Sequence, residues 1–401
     1  MEIAHSPLQA RRIADGYREF LRADRVLLTG HSHQAWPDAA RDGVLRAFEV
    51  AARAVDDKWG EVFTSAEKIR AFIGEEIGAP ASEIALGQNT HELFTRFLSA
   101  LPLRSRPRVV ATGGEFHSVH RQLKRLQEAG LELTLIDPDP LESLAARLAD
   151  ALDERCAALV SSTVLFQSGA HVPELGRAIE KAGTVGARVF LDAYHSFMVA
   201  PLKLSGWPHA APIYLSGGGY KYAQWGEGCC WLRVPSNDAE LRPIFTGWFS
   251  DFEHLAEDDR AAALGYGSRP AERFAGSTFD PTSIFRAESV IDFFRAQGMN
   301  SVTLRALSLR QTSRLIEGLE PAFRADKIRL LTPREEALRG GFIALESPQA
   351  GALVTALRQR GIWSDSRGSV LRLGPAPYLE DHALDRGITE LLKLLEGRGE
   401  G

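Results

Sequence analysis

One lysine and one aspartate in this sequence are placed for chemistry. Residues 216–230 read SGGGYKYAQWGEGCC, with Lys221 held between two tyrosines behind three glycines. Residues 187–196 read ARVFLDAYHS, an apolar run that ends on Asp192. A lysine in a glycine-rich stretch suits either phosphate binding or reaction. The phosphate-loop reading fails on spacing, because a Walker A loop needs four residues between its glycines and a hydroxyl residue after the lysine, and GGGYKY has neither. A Rossmann fingerprint is also absent after the first predicted strand. A Schiff-base lysine fits better. Lys221 follows a predicted strand directly, so its amine falls at a strand's C-terminal end, where α/β folds build their sites. Glycines at 217–219 would let the backbone approach a bulky ligand. The plain alternative is a surface lysine in a glycine turn.

Asp192 raises the odds of the reactive reading. A carboxylate ending a buried strand is costly unless it is paired. It is either a turn or helix-cap residue or the partner of a pyridinium nitrogen. An aspartate and a lysine on neighbouring strand ends, one at the ring nitrogen and one at the aldehyde, are the two essentials of a pyridoxal phosphate site.

The elements that must position this pair form an α/β pattern. Helical periodicity dominates the first 80 residues, as in WPDAARDGVLRAFEVAARAV. From Ser82 short apolar runs (EIALG, RVVATGG, LELTLID, AALVSSTVL, ARVFLDAY) alternate with amphipathic segments such as HELFTRFLSAL and ELGRAIEKAG. This alternation predicts a mostly parallel sheet flanked by helices. Two closely spaced runs, APIYLSG and CCWLRVP, are expected to form one edge of that sheet. Beyond residue 281 the pattern resets to two helical stretches, then FIALES, a helix, VLRLG and a last helix, which predicts a smaller α+β domain. The expected division is an N-terminal helical arm (1–30), a large domain (31–280) and a small domain (281–401), with a disordered tail EGRGEG.

Bulk properties exclude several classes. A chain of 401 residues is too long for one small core. A net charge of -5 argues against a dedicated nucleic-acid binder. No stretch approaches the roughly 20 apolar residues of a membrane span, and the N-terminus lacks the apolar region of a secretory signal. Cys156, Cys229 and Cys230 fit neither a zinc site nor a disulfide framework, so free thiols in a cytoplasmic protein are expected.

The chain resembles the fold-type I pyridoxal-phosphate enzymes of the class V aminotransferase group, and within it the kynureninase family. The resemblance rests on GHSHQAWPDA, DKWGEVFTSAEKIRAFIGEEIGA, LDAYHS, GYKY, TGWFS, RFAGSTFDP and LRLGPAPYLE, in that order. It implies pyridoxal 5'-phosphate as cofactor, Lys221 as the reactive lysine and Asp192 at the ring nitrogen. It places Phe116 where the family stacks a ring on the pyridine, and His195 near a cofactor oxygen or phosphate. Tyr220 would reach the phosphate and take part in proton transfer. Asn89 and Thr90 would open a helix toward the phosphate, although both are also ordinary helix-capping residues. Trp248, with Ser277 or Thr278, would reach the phosphate from a neighbouring subunit, which implies a homodimer with shared sites. Arg372 matches the arginine that grips the amino-acid carboxylate through two hydrogen bonds, and Ser32 and His33 fall at the substrate end.

The sequence departs from the family in three places. GHSHQAW replaces the usual Gly-Asn-Ser-Leu-Gly, AQWGEGCCW follows the lysine where the family has Asn-Gly-Gly-Pro-Gly, and Val119 stands where it has an aspartate. The His31/His33 pair lacks a third ligand, so no metal is expected. The implied activity is hydrolysis of the Cβ–Cγ bond of kynurenine or 3-hydroxykynurenine. The alternatives are transamination or carbon–sulfur β-elimination on another amino acid, or non-catalytic binding of the cofactor or an amino acid. A desulfurase mechanism needs a mobile cysteine in the C-terminal third, and none follows Cys230.

Overall fold

The computed structural model describes residues 7–21, 24–209, 211–254 and 264–397, so most of the glycine-rich tail lies outside the described residues. The chain opens with α1 (Pro7–Ala14), a two-residue strand β1 (Val26–Leu27), α2 (Ala39–Ala54) and α3 (Lys58–Ile77). Then come β2 (Ile84–Gly87), α4 (Thr90–Ala100), β3 (Arg108–Thr112), α5 (His117–Glu128), β4 (Glu132–Ile136), α6 (Leu144–Asp150) and β5 (Cys156–Ser162). The sheet is completed around α7 (Leu175–Thr184) by β6 (Arg188–Asp192), β7 (Ile213–Gly218) and β8 (Cys230–Arg233). The C-terminal part holds α8 (Thr282–Gln297), α9 (Ser301–Gly318), α10 (Glu320–Arg324), β9 (Arg329–Leu330), β10 (Ile343–Glu346), α11 (Ala350–Gln359), β11 (Ile362–Trp363), β12 (Asp365–Arg367), β13 (Val370–Leu373) and α12 (Asp381–Leu395).

Seven strands form one sheet in the order β2-β8-β7-β6-β5-β3-β4, parallel throughout except at β8. All seven residues of β5 are buried, because helices cover both faces and a parallel strand then needs no polar side. Helix α7 buries Leu175, Ala178, Ile179 and Ala182, the three- and four-residue spacing of one helical face. The pair β7 and β8 does not form the sheet edge as expected. β2 pairs antiparallel with β8 on its far side and becomes the edge, since β8 has a second ladder that no local pattern reveals.

A second sheet, β12-β13-β10-β9, is antiparallel, and β1 pairs in parallel with β11. The expected N-terminal arm is thus not purely helical, because β1 is stitched to the C-terminal end of the chain. Helix α8 packs against α2 and α3. The approach is closest at Gly43, where an added Cβ would lie 2.5 Å from the Phe285 carbonyl oxygen and 2.6 Å from the Arg286 Cα. Among the described residues no helix is long and apolar enough to cross a membrane.

Candidate active site

Parallel pairing of β6 with β7 sets Asp192 opposite Ser216 at the carboxyl ends of adjacent strands. The chain then runs three residues past β7 to Lys221. Both side chains line a cavity of about 370 Å³ together with Asn89, Thr90, His91, Phe116, Tyr194, His195, Tyr220 and Cys230. The glycines before the lysine serve a purpose other than the one expected. A Cβ at Gly217 would lie 2.6 Å from the Trp231 ring, at Gly218 2.4 Å from the Tyr194 hydroxyl and at Gly219 2.7 Å from Trp225 Cβ. They admit the protein's own aromatic side chains, and those in turn shape the cavity.

Lys221 is buried, and its amine lies 2.9 Å from Nε2 of His195. It sits 4.8 Å from the ring centroid of Tyr194 and 5.1 Å from that of Phe116. Burial, opposed by Asp192 and reinforced by the nearby Arg372, pushes the amine down to about 7. Burial and the charge of Lys221 lower His195 well below its ordinary value, so the imidazole is neutral. Asp192 is buried, and among the described residues its carboxylate accepts one hydrogen bond, from the Tyr194 backbone N–H at 2.8 Å. Burial raises its carboxyl, while that hydrogen bond and Lys221 pull it back. Tyr220 tilts against Tyr194 at 4.8 Å. Burial raises its phenol, so it keeps its proton at neutral pH.

At the start of α4 the two candidate phosphate contacts separate. Asn89 caps the helix by accepting from the Glu92 backbone N–H at 2.9 Å, so its oxygen is engaged. Thr90 is buried with its hydroxyl unpartnered beside the cavity. An orphaned buried hydroxyl at a helix N-terminus suits an anion. The Asp192 carboxylate, the buried Lys221 amine and the Phe116 ring beside that amine complete a set of residues that fits pyridoxal phosphate.

Other expected residues lie elsewhere. Trp248 is 42% exposed, and Ser277 and Thr278 line a separate cavity of about 290 Å³ with Arg70, Arg96 and Arg269. That cavity shares Gln88 and Gly228 with the first. None of the three lines the Lys221 cavity within its own chain. The His31/His33 pair splits: His31 is fully buried, whereas the exposed His33 stacks on Tyr220 at 5.0 Å, with Ser32 3.3 Å from its Nδ1. Among the described residues no group of three or more His, Cys, Asp or Glu could hold a metal. Val119 lies on the buried face of α5, and its neighbour Ser118 lines the cavity instead.

Arg372 is buried, but its guanidinium is already engaged. Nε lies 2.9 Å from Oδ1 of Asp365, Nη2 bonds Oδ2 of the same carboxylate and Nη1 donates to the Phe166 carbonyl at 2.9 Å. Asp365 escaped the sequence reading, although Asp365 and Arg372 are paired residues flanking the tight turn at Gly368. Cys230 was also missed as a site residue. It is not merely core filling, since it lines the cavity with its sulfur 3.4 Å from the Tyr194 hydroxyl.

Residues 304–391 match the family model described as the kynureninase C-terminal domain. The chain is 28% identical over 375 residues to a kynureninase of Pseudomonas fluorescens, covering 88% of this chain and 84% of that one. It is 24% identical over 350 residues to the kynureninase of Geobacillus thermodenitrificans, covering 82% and 78%. Among solved structures, it resembles a C-DES mutant with glycine covalently linked to its PLP cofactor, at TM-score 0.81 and 15% identity over 94% of this chain and 98% of that one. It also resembles the apo cysteine desulfurase of Thermococcus onnurineus, at TM-score 0.78 and 18% identity over 96% and 99%. The fold is that of the fold-type I pyridoxal-phosphate enzymes, and the residues lining the cavity fit that cofactor. Its sequence is similar to kynureninases over most of its length.

Proposed function

We propose that this enzyme hydrolyses the Cβ–Cγ bond of kynurenine or 3-hydroxykynurenine, consuming one water and releasing an anthranilate and alanine. The observation that carries the reading is the buried Lys221 amine, pushed down to about 7 between His195 and Asp192, in a chain that aligns with kynureninases over most of its length. Bound pyridoxal phosphate supplies an electron sink for the substrate's α-carbon. Thr90, the N-terminus of α4, Phe116, His195 and Asp192 are the residues to hold it.

Lys221 acts as the general base at the α-carbon. Its depressed pKa leaves a substantial neutral fraction near pH 7, the range in which a base transfers protons best. His195, neutral and within hydrogen-bonding distance, steadies the amine without competing for its proton. Asp192 faces the ring-nitrogen end, where burial raises its carboxyl while the Tyr194 N–H and Lys221 favour the charged form. Tyr220, protonated at neutral pH, is the acid that returns a proton to the substrate carbon. Arg372 holds the substrate carboxylate, and His33, exposed and stacked on Tyr220, is the residue for the substrate's side chain.

The same reading includes a homodimer. The Phe249 N–H donates to the Gly276 carbonyl at 3.0 Å, tying the Trp248 segment to that of Ser277 and Thr278. Ile244, Phe245 and Phe252 are exposed in the same region, an apolar surface that suits a second subunit. Trp248, Ser277 and Thr278 would then serve the partner's phosphate. Three buried free thiols favour a cytoplasmic setting.

Product analysis with kynurenine and 3-hydroxykynurenine tests the reading. Stoichiometric aryl acid and alanine, lost in Lys221→Ala, are expected. Pyruvate with ammonia, or an oxo acid with the aminated cofactor, would replace hydrolysis by elimination or transamination.

A further inference from the structure

The first strand and the last sheet deliver three distant residues to one point. The Gly374 N–H donates to the Leu28 carbonyl at 2.8 Å and the Gly30 N–H to the Gly374 carbonyl at 2.9 Å, so the chain before His31 runs as an extra strand beside the end of β13. This sets Nε2 of the fully buried His31 2.8 Å from Oδ1 of Asp365. The His31 ring stacks on Phe342 at 4.7 Å, and Phe342 also faces His195 at 5.9 Å. No side chain fits at position 374, where a Cβ would lie 2.3 Å from Nδ1 of His31.

The hydrogen-bond roles follow from chemistry. A carboxylate only accepts, so His31 must carry its proton on Nε2 and donate it. Asp365 therefore receives His31 and Nε of Arg372 on one oxygen and Nη2 on the other. A guanidinium has five N–H groups and two edges that can grip a carboxylate in parallel. Asp365 occupies the Nε/Nη2 edge and the Phe166 carbonyl takes one N–H of Nη1, so one N–H on each of Nη1 and Nη2 is not engaged by these partners.

We propose that Asp365, anchored by His31, is a positioning residue that locks Arg372 by its Nε edge, so that the Nη1/Nη2 edge receives the α-carboxylate of the substrate. This rests on the assignment of Arg372 to the substrate carboxylate. The opposing possibility is concrete: Asp365 could instead compete with the substrate for Arg372. The two make opposite predictions when the Asp365 charge is removed.

The experiment titrates the cofactor-loaded enzyme with L-alanine and with ethylamine, the same amine without its carboxylate, and follows the cofactor absorbance. Asp365→Asn is expected to weaken alanine roughly tenfold, the scale of a charge-assisted bidentate contact, and to leave ethylamine within about twofold. Asp365→Glu should recover part of the loss. Tighter alanine binding by Asp365→Asn would establish competition and overturn the proposal. Equal weakening of both ligands would reduce Asp365 to a general structural role and also overturn it. Should Asp365→Asn not load cofactor, His31→Asn removes the imidazole donor to Asp365 together with its stack on Phe342, and a selective loss of about threefold for alanine over ethylamine is expected; no selective loss overturns the proposal. Arg372→Gln separates the two levels: if it leaves alanine affinity unchanged, the assignment of Arg372 itself fails. If Arg372→Gln weakens alanine while Asp365→Asn does not, only the positioning role fails.

Discussion

The amine of Lys221 stands 2.9 Å from Nε2 of His195, with both side chains buried. Two bases enclosed at this distance cannot both be charged, because each loses its hydration and repels the other. Both titrations are lowered, and the histidine gives way first, well below its ordinary value, while Lys221 stays near 7.

A pH profile of amine labelling follows. The neutral amine is the nucleophile, and its fraction rises with pH through about 7 at Lys221, against roughly 10.4 for an unperturbed lysine. Brief acetylation of the cofactor-free protein, read by peptide mass spectrometry, should give Lys221 a midpoint about three units below that of the exposed lysines. A midpoint shared with those lysines would remove the basis for Lys221 as a base at neutral pH.

Asp192→Asn keeps the shape and the hydrogen bond from the Tyr194 N–H but removes the charge. The expected result is a kcat lower by on the order of 10²-fold or more, with cofactor still bound. Steady-state kinetics beside a cofactor absorbance spectrum would show it. Undiminished turnover would mean that the carboxylate only ends its strand.

Glu115 lies beneath the site, accepting hydrogen bonds from the Ser162 N–H at 2.7 Å, the Ser162 hydroxyl at 2.9 Å and the Thr112 hydroxyl at 3.1 Å. Burial, with the neighbouring Asp192, pushes its carboxyl up to about 7. The folded protein thus holds this proton more tightly than the unfolded chain, where it leaves near 4.3. Stability contributed by the protonated form is full below that value and is lost as pH rises to about 7. Glu115→Gln cannot ionise, so its Tm relative to the parent should be higher at pH 8 than at pH 5. A difference independent of pH would contradict the raised carboxyl.

Gly43→Ala tests the contact between α2 and α8. The new methyl meets the Phe285 carbonyl and the Arg286 Cα, which are backbone and cannot swing aside. A loss of about 1–3 kcal/mol is expected, the usual cost of overpacking, and differential scanning calorimetry would record it as a lower Tm. An unchanged Tm would show that the helices separate at little cost.

Local sequence carried the central sheet and the placing of Asp192 and Lys221 together. Strands covered on both faces must be continuously apolar, so β3, β5, β6 and β7 announce themselves, and residues that end such strands or directly follow them, Asp192 and Lys221, fall at one edge of the sheet whatever the details. The tertiary structure decided what depends on partners distant in sequence. The glycines at 217–219 face Trp231, Tyr194 and Trp225, not a ligand. Asn89 is taken by capping and Thr90 is left orphaned, a division that identical capping preferences could not foretell. Arg372 is bound by Asp365 and, through it, by His31, because β13 pairs with β12 on one side and is extended by the chain near Thr29 on the other. Spacing along a chain constrains a helix face or a strand face, but a hydrogen bond between residues 31 and 365 exists only once two sheets have met.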